Sequence, residues 1–391
     1  MTRPLPVFAC VIALVVGAAS AHASPPSRWK WKDLKGTPAL GPVVFTAQHA
    51  GTGYVVAGED ALALWGVTLD SKRPVWTVRP APPASVGTRA RWDARGDTFV
   101  AVGGEHDNIP LQTGAQFKDN AWKDLPPLPQ GRLIHTTTLL ADGAIVVIGG
   151  RIADKPGTKG FDAPETASAL WLAPGATSWT ALPPLPEPRW LHTATALPDG
   201  SILVAGGTNE AREQGPDDAL GLTPAWRLSA DKKAWLPAGS LPTPRYGQDA
   251  ILTAAGVLIT GGEIDGVGSA TDAVDLFDPK TSTWKALGRA PYAPSSHATC
   301  LLADGRVLVT GGSDVFTDGA LPFTLDGAYV IDAARGTFSK VRKMPVGRSG
   351  HSVLVGKRGV LVLGGSSLPF KPDPDHYEKP WVPAPPRWLW F

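Results

Sequence analysis

The sequence predicts an all-β propeller of seven four-stranded blades, the last blade closed by a strand from the N-terminal end of the chain. Three observations lead there. A phrase of apolar strand, tight turn and second strand ending in two glycines recurs: "LIHTTTLLADGAIVVIGG" at 133–150, "WLHTATALPDGSILVAGG" at 190–207 and "SSHATCLLADGRVLVTGG" at 295–312, with looser copies at 246–262 and 349–365. An aromatic residue stands at a fixed distance before the next glycine pair, as Trp122 does before Gly149 and Trp179 before Gly206. The 39 prolines and 44 glycines show no Gly-X-Y period and punctuate short apolar runs, as in a chain of many strands and turns.

At the start of the chain, "MTRPLPVFACVIALVVGAASAHASPP" sets Arg3 ahead of an apolar run and closes it with Ala21, His22 and Ala23. That pattern predicts a signal peptide over residues 1–23, cleaved after Ala23, and a single propeller domain over 24–391 that is exported to the periplasm or the cell exterior. The apolar run is too short for a membrane span, so no stable membrane insertion is expected. Cys10 leaves with the leader; Cys300 then has no partner and no intrachain disulfide can hold the fold. With 37 Lys and Arg scattered among 35 Asp and Glu, the chain offers no basic face for nucleic acid. A monomer is expected.

Glycine pairs stand at 103/104, 149/150, 206/207, 261/262, 311/312 and 364/365, and "GYVVAGED" is a degenerate seventh copy with Gly58 and Glu59 in their place. The aromatic series runs Trp76, Trp122, Trp179, Trp235, Trp284 and Phe338. Carried backwards from Gly58, the same spacing lands on Trp31 in "RWKWKDL", so the N-terminus begins with the strand that ends a repeat, and "PPRWLWF" at the C-terminus supplies the strand it joins. Asp142-Gly143, Asp199-Gly200 and Asp304-Gly305 read as two-residue hairpin turns, since Asp-Gly tolerates positive φ. The tryptophans are expected to fill the wedge between neighbouring blades.

An apolar strand into a double glycine, an aromatic strand, a tryptophan strand and then Arg-x-x-His resembles the kelch repeat, over essentially the whole chain after the leader. The resemblance implies blades around a central channel. Because strands alternate in direction within a blade, the Arg-x-x-His phrases and the connections after each double glycine share one face, and the Asp-Gly turns take the other. The connections vary in length only on the first face, which is where recognition is expected.

That face carries Arg132, Arg189, Arg245 and Arg348, read as anchors for a ligand, and His135, His192, Gln248, His297 and His351 in register behind them. Histidines spread one per blade do not converge as metal ligands; His192 and His297 are expected to hydrogen-bond a ligand, with no metal or cofactor. Glu59, Glu105 and Glu263 each follow a glycine in one slot, and Asn209 lies just beyond its own. Together they form a candidate ligand-binding rim for a glycan, peptide or protein.

Two kelch enzyme families are similar in outline. The galactose oxidase type is secreted, but its copper site implies two tyrosines, two histidines and a crosslinked cysteine. Cys300 occupies the slot of Thr138 and Thr195 here, and Tyr54, Tyr246, Tyr292, Tyr329 and Tyr377 form no matching motif. The sialic acid mutarotase type, usually six-bladed, is similar at "GGEIDGVGSATDAVDLF", and the resemblance places Glu263 on its acid-base glutamate; the arginine that accompanies it there is missing from Val267 to Thr271. The expectation is a non-catalytic binding module, with a sugar-acid mutarotase or epimerase using Glu263 as the alternative.

Overall fold

In a computed structural model the described residues are 12–13, 30–33, 36–367, 382–383 and 387–390, apart from 59–60, 72–73, 88, 156, 214–219, 267, 316–321 and 358. The leader expected over 1–23 lies outside them except for Ile12–Ala13, which pairs in parallel with Asp93 and Ala94. The described strands build an all-β propeller from seven sheets of four strands or more. The first sheet holds Val43–His49, Thr52–Ala57, Ala63–Thr68 and Trp76–Arg79. The second holds Arg91–Arg95, Thr98–Val102, Gly114–Lys118 and Ala121–Asp124, and the third Thr136–Leu139, Ile145–Ile148, Ala169–Leu172 and Thr180–Leu182. Thr193–Ala196, Ile202–Ala205, Pro224–Leu228 and Trp235–Ser240 make the fourth, and Asp249–Thr253, Gly256–Thr260, Ala273–Asp278 and Thr283–Arg289 the fifth.

The sixth comprises Ala298–Leu301, Val307–Thr310, Ala328–Asp332 and Thr337–Lys340. In the seventh, Ser349–Gly356 and Gly359–Ser367 are followed by Arg387–Trp390, and Lys30–Asp33 adds the outer strand with Trp31 opposite Leu389. Strands from the two ends of the chain thus share one sheet.

Burial explains the strand sequences. Second strands such as Ile145–Ile148 and Ile202–Ala205 are covered on both faces and are apolar throughout, whereas outer strands such as Thr283–Arg289 alternate half-buried with exposed residues. First strands of consecutive sheets stand side by side around the channel from the second sheet to the seventh, and the seventh meets the first. Outer strands are joined by the tryptophans: the indole N–H of Trp122, Trp179, Trp235 and Trp284 donates to the carbonyl of Pro80, Pro126, Pro183 and Ala238, in or just after the preceding sheet's outer strand, at 2.7–2.8 Å.

The Asp-Gly turns differ from the expected two-residue form. Gly143 N–H donates to Leu140 O (3.0 Å) and Leu140 N–H to Ala144 O (2.8 Å), and only the glycine has positive φ (86°). This is a three-residue loop in which the aspartate works through its side chain: Asp142 Oδ1 accepts from Ala144 N–H at 3.0 Å. Asp199 and Asp304 repeat the contact.

The double glycines hold the sheets together. A Cβ on Gly103, Gly149 or Gly311 would stand 2.7–2.8 Å from Cε1 of His135, His192 or His351 in the following sheet, closer than real Cβ atoms approach. Gln248 takes the same place over Gly206. The second glycine donates its N–H to the following sheet, Gly104 to Arg132 O and Gly150 to Arg189 O, both at 2.8 Å. The junction between the first two sheets departs from this pattern: Ala90 occupies the histidine position, and Phe45 stacks on Trp92 instead, with centroids 5.1 Å apart.

Gly261 and Gly305 both have positive φ, but a Cβ at Gly305 meets nothing within 4 Å while one at Gly261 meets Pro294 O and His297. Gly305→Ala is expected to cost about 1 kcal/mol from φ alone. Gly261→Ala should cost at least about 3 kcal/mol because two sheets must also separate. Chemical denaturation of the two variants checks the difference.

Candidate functional site

The connections after the double glycines lie on one face, where they fold into short ribbons and bridge to one another. Arg132–Leu133 forms a ribbon with Arg151–Ile152, Glu105–His106 with Ile109–Pro110, and Ser313–Val315 with Pro322–Thr324. Single bridges join Trp190 to Thr208 and Tyr246 to Glu263. The longest connection reaches both ways, with Gly160 N–H on Asn108 O at 2.7 Å and Glu165 accepting from Glu210 N–H at 2.9 Å.

The four arginines expected to anchor a ligand are in a different place. Arg132, Arg189, Arg245 and Arg348 are at most 2% exposed, and each guanidinium turns inward to the carbonyl of its own sheet's first glycine, Gly149, Gly206, Gly261 and Gly364, at 2.9–3.2 Å. Arg132 also holds Ser168, Arg189 holds Pro224 O and Glu187, and Arg245 holds Ala273 O and Asp275. Burial lowers their pKa to about 10, so they stay charged at neutral pH. They brace the start of the third strand against the glycine turn, and solvent does not reach them.

The histidines expected at the ligand are likewise interior. His192 Nε2 lies 3.1 Å from Thr136 Oγ1, and His297 and His351 lie 2.8 Å from Thr260 and Thr310, each hydroxyl belonging to the preceding sheet. Burial and the neighbouring arginines hold all of them neutral, His297 down to about 3. Among the described residues no three His, Cys, Asp or Glu side chains gather as metal ligands. Cys300 is buried, and burial pushes its thiol up, away from reactivity.

The acidic slot divides. Glu59 lies outside the described residues. Glu105 pairs with Arg89 at 2.7 Å. Asn209 is buried, its amide 3.4 Å from Pro188 O. Glu263 differs: Ser295 Oγ donates to Oε1 at 2.5 Å, the Tyr246 hydroxyl also bonds it, and burial, with Asp265 and Asp314 nearby, raises its pKa. The single Tyr246 hydroxyl proton is donated to Asp265 O at 2.5 Å, which fixes the loop beneath.

Several residues that the motif left unmarked also occupy this face. Arg151 stacks over Trp190 at 4.6 Å and donates to Ala163 O at 3.1 Å, holding the longest connection over a small cluster of Leu133, Ile134, Ala163 and Trp190. Arg151 stands one residue after a glycine pair, the slot of Glu105 and Glu263, and that register could have found it. Ile134 and Leu191 have φ of 53° and 54° where sister sheets place Gly247 and Gly350, an uncommon conformation for bulky side chains.

The Kelch-repeat domain model described as KLHDC2/KLHL20/DRC7 matches residues 134–365, more than half of the chain. The chain belongs to the Kelch-repeat family. Adagio-like protein 1 of Oryza sativa subsp. japonica is 30% identical over 62% of this chain and 42% of its own length. Kelch-like protein 15 of Mus musculus is 26% identical over 69% of this chain and 46% of its own length, and alpha-scruin of Limulus polyphemus 25% over 66% and 26%. The chain spans less than half the length of these relatives. The solved structure of YjhT shares the fold, with a TM-score of 0.56 and 18% identity over 72% of this chain and 91% of that one.

Arg245→Ala would leave Asp275 buried without its guanidinium, at an expected cost of about 3–5 kcal/mol, and urea denaturation reads it. Glu263 has a folded pKa above its unfolded value, so its contribution to stability is full below pH 4.5 and is lost as pH rises through the raised value. Melting temperatures of wild type and Glu263→Gln from pH 4 to pH 8 should therefore diverge in favour of the variant as pH rises.

Proposed function

We propose that this Kelch-repeat chain is an exported binding module that recognises a protein partner through its loop-rich face. The observation that carries the reading is the contrast between the two faces. One is made of short turns closed by their own aspartates, and the other of longer connections that fold into ribbons and hydrogen-bond to neighbouring connections. Cross-pairing fixes the loops before a partner arrives and so lowers the ordering cost of association. At the tip of one ribbon Ile109 is 42% exposed, beside exposed His106. An apolar side chain presented beyond a polar rim suits a protein contact. The seven sheets closing as one seven-bladed ring through Lys30–Asp33, cleavage after Ala23, a periplasmic or extracellular location and a monomeric state belong to the same proposal. Among the described residues no helix is long and apolar enough to cross a membrane.

A second reading, a sugar-acid mutarotase or epimerase, is favoured by Glu263, whose half-buried carboxyl sits between two hydroxyls in the manner of a poised general acid. One paired experiment separates the two. Proximity crosslinking in the native host, followed by binding measurements with the purified partner, should show affinity at least tenfold weaker in Ile109→Asp and unchanged in Lys280→Glu on the opposite face. Equal affinity in both variants would reject the face. Faster anomer exchange of a sugar acid by NMR, lost in Glu263→Gln, would instead support the enzyme.

A further inference from the structure

We propose that Glu263 and Tyr246 form a proton-controlled latch, which pins the fifth sheet's connection while Glu263 is neutral and releases it when Glu263 ionises. The latch stands apart from both readings of function above, since it needs neither a protein partner nor a sugar. From the third sheet to the seventh, the residue after the glycine pair lies opposite the residue two places before the histidine or glutamine. These pairs are Leu133 with Arg151, Trp190 with Thr208, Tyr246 with Glu263, Ser295 with Ser313 and Ser349 with Ser366. Of these, only the fifth sheet's pair sets a carboxyl against a phenol.

One hydroxyl proton decides the state of this pair. Tyr246 donates to Asp265 O at 2.5 Å and has no second proton to give. Its oxygen also bonds the Glu263 carboxyl, and there it can only accept. The donor is then Glu263 itself, in its protonated form. Ser295 Oγ completes the chain, donating to Glu263 Oε1 at 2.5 Å. Protons thus run in one direction, from Ser295 to Glu263, from Glu263 to Tyr246 and from Tyr246 to Asp265. Ionised Glu263 breaks this order, because the carboxylate and Asp265 O become two acceptors for one phenolic proton, and the carboxylate, being charged, is the stronger. Glu263 is half-buried, so solvent can take the proton it gives up.

The fifth connection joins its neighbours, so its release is felt by both. Asp265 Oδ1 accepts from Ser269 N–H at 2.9 Å, and Ile264 N–H donates to Ser269 O at 3.0 Å. From this small loop Ile264 O accepts from Leu220 N–H of the fourth sheet's connection at 3.0 Å, and Ala270 N–H donates to Asp314 Oδ1 of the sixth at 3.2 Å. The charged groups around Glu263 act in the same direction. Asp265 on its own connection and Asp314 on the sixth are both acids, while Arg245 beside Tyr246 is turned inward to Gly261 O, Ala273 O and Asp275. His297, two residues past Ser295, is held neutral on Thr260. Burial and the two acids raise the Glu263 pKa, so the pinned state is complete below the ordinary carboxyl value and is lost as pH rises through the raised one.

Residue-resolved amide exchange of the full chain from pH 4 to pH 8, corrected for base catalysis, reads the latch. Protection of Ile264 and Ser269 should fall about tenfold across that range, as for loss of one hydrogen bond holding the loop, while Val147 in a second strand does not follow it. Glu263→Gln supplies an amide donor to Tyr246 at every pH and should keep both residues protected throughout. Tyr246→Phe removes the donor to Asp265 and should hold both at the low value throughout. A flat wild-type profile would overturn the latch, as would full protection in Tyr246→Phe or a wild-type pH dependence persisting in Glu263→Gln. If Tyr246→Phe does not fold, the glutamine variant decides alone.

Discussion

The contact on which the rest of the structure depends is the one between the first glycine of a sheet and the imidazole, or the Gln248 amide, of the next. It leaves no room for a Cβ, and it sets the distance between sheets at the end nearest the axis. Everything on the loop-rich face starts from that point. The second glycine donates across the junction to the residue that opens the next sheet, and the arginine at four of those positions turns back to its own glycine carbonyl. Backbone groups that a sharp turn would otherwise leave without partners are thereby closed by the neighbour.

The polar groups at these junctions do their work while buried, and their protonation states follow from that. The arginines keep their charge because carbonyls surround them, helped by Glu187 and Asp275 in two sheets and by Ser168 in another. The histidines sit beside those arginines and cannot take a second charge into the same space. A ring of basic side chains is therefore a ring of fixed donors and neutral imidazoles, turned away from solvent. Recognition falls instead to the connections.

The architecture was legible in the sequence because a repeat read many times over reports a constraint rather than a coincidence. Trp31 could be placed opposite the C-terminal strand by spacing alone. Direction was not legible. Periodicity assigns Arg189 and Arg245 to the loop-rich end of a strand but does not say that their side chains fold inward, since that depends on carbonyls contributed by a third strand more than twenty residues away. Glu105 and Glu263 look equivalent in the chain and differ only through Arg89 beside one and Ser295 beside the other. The Asp-Gly turns were located correctly, but their geometry was set by a side-chain contact that a dipeptide rule does not include.

The first sheet marks an origin in an otherwise repetitive ring. From the second sheet to the seventh each junction joins a glycine pair to a histidine or glutamine, so these units share interchangeable surfaces. The first sheet meets its neighbours through Val43 on one side and the Phe45–Trp92 stack on the other. A unit can be copied or lost by unequal recombination among the interior repeats without rewriting its borders, but the first sheet cannot change places with any of them. The aromatic junction thus fixes where counting begins, and a change in repeat number would leave every border intact only on the arc from the second sheet to the seventh.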